Sequence, residues 1–257
     1  MKRHFLHIAT AAEDGWETAA RCGLGLELSE FCLPQNLDDA DVLPRLRQRL
    51  AACPPPSLIL HAPYNELYPA AIDPRALQLA RGRLHEALDL CDALSCRRLV
   101  VHSGFVPMVY FPQWHLQRSV PFWRGLLASR SDDFRLCIEN VMETEPEPLA
   151  QLMQGIDDPR ARLCLDIGHA ACSGTRPLAD WIHVLAPWIG HVHLHSNDGR
   201  RDLHLPLGKG VIDAAAALRR IERECSREVT FTIESIDSAA SAAWLTERNF
   251  IDVEGTN

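Results

Sequence analysis

The sequence predicts an α/β architecture, a (β/α)8 TIM barrel folded as a single domain over residues 1–257, and three observations carry that prediction. A chain of 257 residues is long for a doubly wound domain and typical of one α/β barrel. Eight short apolar runs of β character alternate with longer segments of helical period. Most of the runs end in a histidine or a carboxylate, and the carboxyl ends of parallel barrel strands share one rim.

The strands are expected at His4–Ala9, Leu24–Ser29, Ser57–Ala62, Arg98–Ser103, Arg135–Asn140, Arg162–Ile167, Gly190–His195 and Val229–Ser235. Helices fill the gaps. The clearest spans Pro74–Leu94, where Leu77, Ala80, Leu84, Ala87, Leu88, Cys91 and Leu94 recur at helical spacing behind an Asp73 cap and a first-turn proline. A second follows Asp213 through Ala217, Leu218 and Ile221, and Pro54–Pro56 reads as a turn before the third strand. The stretch Phe105–Trp123 reads as a long connection after the fourth strand, rich in aromatics and carrying His115. In a barrel such a loop belongs to the catalytic face, so it is expected to form a lid or substrate wall, or else a plug packed on itself.

Hydrophobic residues make up 47% and charged residues 23% of the chain, which gives no compositional reason for disorder. A net charge of −8 repels nucleic acid and anionic lipid, and the arginines are scattered. Nine cysteines without CxxC spacing read as reduced core residues. The start of the chain fails as a signal peptide and no run is long enough to span a membrane, so a cytoplasmic protein is expected.

The chemistry sits at the strand ends. LILHAP ends in His61, LVVHSG in His102, LCIEN in Glu139, LCLDIGH in Asp166 and His169, HVHLH in His193, and FTIES in Glu234. A lone polar residue at a strand end is more often a hydrogen-bonded cap than a ligand; six strands repeating the pattern reverse those odds. Carboxylates crowded on one rim repel or take up protons unless cations neutralise them, so divalent metal is expected. In HVHLHSNDGRRDLHLPLGKG, alternation puts His191, His193 and His195 on one face, and Asp202 and His204 form a further pair. His191 reads as a core or supporting residue. His195 reads as supporting or substrate-contacting, and Lys209 as a phosphate contact or a solvated loop lysine.

Together these motifs resemble the xylose-isomerase-like TIM-barrel superfamily, which includes sugar isomerases and epimerases and the endonuclease IV branch. In the epimerase branch one divalent metal is held by a Glu, Asp, His, Glu set, implying Glu139, Asp166, His193 and Glu234. The endonuclease IV branch implies up to three ions, zinc foremost with manganese or magnesium as alternatives. His61 and His102 would bind the first and Glu139 would bridge to the second. Asp166, His193 and Glu234 would complete the second, and His169, Asp202 and His204 would hold the third.

One divalent ion leaves Glu139, Asp166, Asp202 and Glu234 at about −2, whereas three leave the set at about +2, which suits an anionic phosphate. The leading expectation is therefore a multi-metal hydrolase of a small-molecule phosphate ester, with Tyr64, His115, His195 and Lys209 as substrate contacts. The alternative is a sugar or sugar-phosphate isomerase or epimerase in which Glu139 and Glu234 are also the acid/base groups. A metal-stabilised binding protein is a third reading. Flanking NELYP and METEPEP depart from endonuclease IV, so DNA is not the expected substrate, and Ser196 stands where many relatives carry Asp. A homo-oligomer is compatible with all of these.

Overall fold

The computed structural model describes residues 1–2 and 5–251. Eight parallel strands close in chain order: β1 (Leu6–Ala9), β2 (Gly25–Leu28), β3 (Leu58–His61), β4 (Arg98–His102), β5 (Arg135–Glu139), β6 (Ala161–Asp166), β7 (Ile189–Leu194) and β8 (Thr230–Ile233). The circle is completed by β8 pairing with β1, Leu6 opposite Phe231. Every expected strand is present, its described ends within two residues of expectation. His4, expected to begin the first strand, lies outside the described residues.

Period-2 alternation decides what each strand contributes. Leu60, Leu99, Val101, Leu136, Ile138, Leu163, Leu165, Val192, Leu194 and Ile233 face outward and join the main apolar core against the helices. The alternate residues Ile59, Val100, Cys137 and Cys164 face inward as a small separate cluster. Two positions further along the same four strands stand His61, His102, Glu139 and Asp166. The same rule that fills the barrel floor therefore places the polar residues at its mouth.

The described helices are α1 (Gly15–Cys22), α2 (Gln35–Asp38), α3 (Val42–Ala52), α4 (Pro74–Ala93), α5 (Pro112–Leu127), α6 (Glu147–Ile156), α7 (Ile167–Ser173), α8 (Leu178–Leu185), α9 (Ala214–Glu224) and α10 (Ser238–Glu247). In α4, Asp73 accepts from the Arg75 amide at 2.7 Å, and Ala80, Leu84, Ala87, Leu88 and Cys91 form the buried stripe. In α9, Asp213 caps the Ala216 amide and Ala217, Leu218 and Ile221 are buried.

The long connection expected over Phe105–Trp123 is shorter, because α5 begins at Pro112. His115, Ser119, Phe122, Trp123, Leu126 and Leu127 make its buried face at regular 3–4-residue spacing. The helix was hidden in the sequence because two of those six are polar and Pro121 lies inside it. All nine cysteines are free, with Cys91, Cys96, Cys137 and Cys164 buried. Among the described residues no helix is long and apolar enough to cross a membrane.

Trp123 is fully buried on the inner face of α5 and belongs to the main apolar core. Trp123→Ala is expected to lower stability by about 3–5 kcal/mol through lost burial and a residual cavity. In urea unfolding the midpoint should fall at unchanged slope; a change below about 1 kcal/mol would contradict this packing role.

Candidate metal centre

The inward strand ends meet at the carboxyl mouth of the barrel. Glu139, at the end of β5, is the hub: its Oε2 lies 3.2 Å from His61 Nε2 and 3.5 Å from His102 Nε2, and its Oε1 lies 3.1 Å from His169 Nδ1. His193 Nδ1 faces Glu139 Oε1 at 3.4 Å, Asp166 Oδ2 at 3.7 Å and Glu234 Oε2 at 3.3 Å. Asp202 Oδ2 lies 3.2 Å from His169 Nε2 and 3.0 Å from His204 Nε2. Asp166 ends β6 and caps α7 by accepting from the His169 amide at 2.7 Å, so the DIGH spacing turns His169 back over the site.

These contacts resolve into overlapping donor groups, each with its ligand atoms within 4.8 Å: His61, His102 and Glu139; Glu139, Asp166 and His193; and His169, His195, Asp202 and His204. The hydrogen bonds fit a cation at each. His61, His169 and His204 commit Nδ1 to the backbone carbonyls of Ala62, Asn140 and Glu234, at 2.9, 3.0 and 2.6 Å. In a neutral ring this leaves the Nε2 lone pair facing a carboxylate oxygen, acceptor against acceptor, unless a proton or metal lies between. His193 is turned the other way: Nε2 meets Glu27 at 3.0 Å, while its buried Nδ1 has no hydrogen-bond partner among the three carboxylates around it. Such an orphaned lone pair is what a metal would satisfy.

Charge shifts follow the same geometry. Burial opposes ionisation of Glu139 and Asp166, yet the surrounding imidazoles hold both well below the ordinary carboxylate range. Burial, reinforced by Glu27, Glu139 and Asp166 against the pull of His193, pushes Glu234 up. Burial opposes the His204 imidazolium, but the Asp202 hydrogen bond and nearby carboxylates carry it up to about 9. Burial drives His102 down to about 3.

Sequence reasoning missed Glu27. It is fully buried on β2, with one oxygen on His193 and the other 2.9 Å from His191 Nε2 and 2.5 Å from Thr232 Oγ1. A charged residue inside the apolar run GLEL was the available signal. Gly168 was missed too; a Cβ there would sit 1.9 Å from His195 Cε1, so the glycine makes room for that ring.

A cavity of about 620 Å³ opens above the donors. His61, Tyr64, His102, Glu139, His169, Asp202, His204 and Glu234 all line it, and Tyr64 stacks on His102 with centroids 4.2 Å apart. Three expected substrate contacts do not. His115 is buried on α5, 5.3 Å from the Phe105 ring, with Nε2 3.2 Å from Ser119 Oγ, whereas Phe105 and Val106 of the same stretch line the cavity as part of its wall. His195 is wholly buried behind Asp166, both of whose oxygens lie 3.0 Å from its Nε2, and it stacks on His204. Lys209 is exposed between Gly208 and Gly210, both at positive φ, on a turn outside the cavity wall.

A family model described as xylose isomerase-like TIM barrel matches residues 12–252. The uncharacterized protein MJ1311 of Methanocaldococcus jannaschii is 25% identical over 238 residues, covering 89% of this chain and 76% of its own. A crystal structure of a D-tagatose 3-epimerase-like protein superposes with a TM-score of 0.81 at 22% identity, over 95% of this chain and 97% of that one. The TTHB071 protein of Thermus thermophilus, in crystals soaked with ZnCl2, gives 0.77 at 28% identity over 98% and 99%.

Glu27→Gln, which retains shape but removes charge behind His193, is expected to weaken metal binding by about 10–100-fold in a competition titration with a chromogenic chelator. Unchanged affinity would show that Glu27 only fills space. Gly168→Ala should displace the His195 ring; a crystal structure with that ring unmoved against Asp166 would contradict the steric account.

Proposed function

Because the chain belongs to the xylose isomerase-like TIM-barrel family, we propose that it is a metal-dependent sugar isomerase or epimerase with one divalent ion held by Glu139, Asp166, His193 and Glu234. The observation carrying this reading is the His193 Nδ1 lone pair, buried, unpartnered and surrounded by those three carboxylates. When bound, the ion supplies Lewis-acid polarisation of a substrate carbonyl. Histidine among the donors favours zinc, with manganese or magnesium as the alternatives suited to carboxylates.

Glu139 and Glu234 both reach the cavity, and their surroundings move their proton affinities in opposite directions. Two such carboxylates fit a division of labour in which one accepts the proton from the carbon beside the carbonyl and the other returns one. Tyr64, stacked on His102, lies on the wall where a sugar ring would rest. A small, sugar-like substrate and residence in the cytoplasm complete the proposal.

Phosphate-ester hydrolysis, the first expectation from the sequence, becomes the second reading. The donor groups built on His61 and His102, and on His169, Asp202 and His204, favour it because isomerisation at one ion does not require them. The likeness to an epimerase-like protein supports carbon chemistry ahead of it.

Metal-loaded protein incubated with ketoses and aldoses in deuterated water should change sugar configuration or carbonyl position, with deuterium entering at the reacting carbon by NMR. Phosphate release without such exchange, in protein holding three zinc equivalents, would overturn this order. Glu139→Ala is expected to abolish turnover and reduce metal content; full metal occupancy in that variant would remove Glu139 from the ligand set. Glu234→Gln should slow turnover by about 10²–10⁴-fold, and near-normal kcat would remove it from proton transfer.

A further inference from the structure

We infer that the chain carries a second small-molecule site, between α8 and α9 on the outside of the barrel, which takes an amphipathic anion: a phosphate group on a flat apolar body. A cavity of about 530 Å³ lies there, in the size range of small-molecule sites. It shares no lining residue with the cavity at the barrel mouth. Its boundaries are Ala171 of α7, the turn that leads into α8, the Val211–Ile212 approach to α9, and one face of α9 itself. In a chain of net charge −8, its wall gathers four arginines: Arg176 ahead of α8, and Arg219, Arg220 and Arg223 along α9. Asp213 is the one carboxylate among its described lining residues, and its Oδ1 is already engaged in capping the Ala216 amide at 2.9 Å.

Two of these arginines are held in ion pairs. Arg176 lies 2.8 Å from Glu147 and 3.3 Å from Asp180, and Arg220 lies 2.9 Å from Glu224. Arg219 and Arg223 are exposed and have no carboxylate partner among the described residues; Arg219 Cζ stands 6.0 Å from the centre of the Phe250 ring. Four positions apart, they share one face of α9, where like charges repel until an anion stands between them. A phosphate presents enough oxygens to meet both guanidinium forks at once, and the forks match its geometry. The head of α8 adds to the field. That helix opens at Pro177 with no side-chain cap, and Leu178 and Ala179, whose amides lack intrahelical acceptors, lie on the same wall.

The rest of the wall is apolar. Leu178, Ile182, Val211, Ile212 and Ala217 line it, Ile182 fully buried and Val211 still 65% exposed. An inorganic anion would answer the arginines and leave this surface in water. A body of one or two fused rings covers it as well, and guanidinium groups stack on such faces. A few placed charges beside an apolar surface is the usual make-up of a site for an organic ligand.

The probe is 1-naphthylmethylphosphonate, whose C–P bond resists hydrolysis at the metal centre, titrated into the native protein with and without added zinc and followed by fluorescence anisotropy. Its two halves, methylphosphonate and 1-naphthalenemethanol, are titrated in parallel as competitors. The whole probe should saturate and bind about 10-fold tighter or more than either half. Arg219→Gln with Arg223→Gln should weaken it about 10-fold or more, while His102→Ala at the barrel mouth should leave it unchanged. Val211→Glu, at an exposed position, should weaken it in the same direction, so the inference stays testable if the double variant fails to fold. Absence of saturable binding up to about 10 mM overturns the inference. So does binding that is lost in His102→Ala and kept in the arginine variant, which would put the ligand at the mouth. Either half binding as tightly as the whole probe overturns the amphipathic class.

Discussion

Carboxylates withdrawn from water must be matched by positive charge, and the mouth of this barrel is organised around that requirement. Glu27 and Asp166 are fully buried and Glu139 nearly so. Taking each from water costs several kcal/mol unless compensated. Imidazoles supply the nearest compensation, but in their neutral form they present lone pairs to the oxygens, as at His61, His193 and His204. The arrangement is satisfied by protons or by metal ions. Backbone carbonyls at Ala62, Asn140 and Glu234 orient the rings toward the second solution, since they hold the Nδ1 protons and leave Nε2 for coordination.

The barrel serves this constraint through strand alternation. Each inward polar residue at the end of β3 to β6 has a small or branched apolar residue two positions below it, and Cys137 and Cys164 lie beneath Glu139 and Asp166. Below β7 the pattern changes, because His191 replaces an apolar residue and shares Glu27 with His193 and Thr232. A polar column therefore extends down one side of the interior while the side formed by Ile59, Val100, Cys137 and Cys164 is apolar. His7 meets that column edge-on at the His191 ring, centroids 6.5 Å apart, with Ser57 Oγ 2.9 Å from its Nε2, and burial pushes it down to about 4.

Much of this was legible before any coordinates. The strand ends carrying His61, His102, Glu139, Asp166, His193 and Glu234, with His169 close behind, follow from a local pattern repeated along the chain, and parallel strands bring such repeats to one rim. Asp202 and His204 were read as a pair in the loop after β7, and they meet His169 at the same mouth. Glu27 was not legible as a partner, because its role depends on His193, 166 residues away across the barrel. His115 misled because it sits in an aromatic-rich stretch that resembles a loop, whereas it shares the buried face of α5 with Phe122 and Trp123. His195 shares its strand face with His193, yet the space left by Gly168 takes its ring behind Asp166 and away from the cavity. Lys209 was adjacent to the donors in sequence only; the two positive-φ glycines beside it set the direction of the turn.

The pairing of β8 with β1 has a consequence for how the molecule comes into being. A nascent chain emerges amino end first, and Glu27 and His61 are made long before His193 and Glu234. Until the last strand docks, the early carboxylate and imidazole lack the partners that define their task. An ion held by these groups would find its full donor set only in the completed ring, and its presence during synthesis would favour the finished molecule over every partly assembled one.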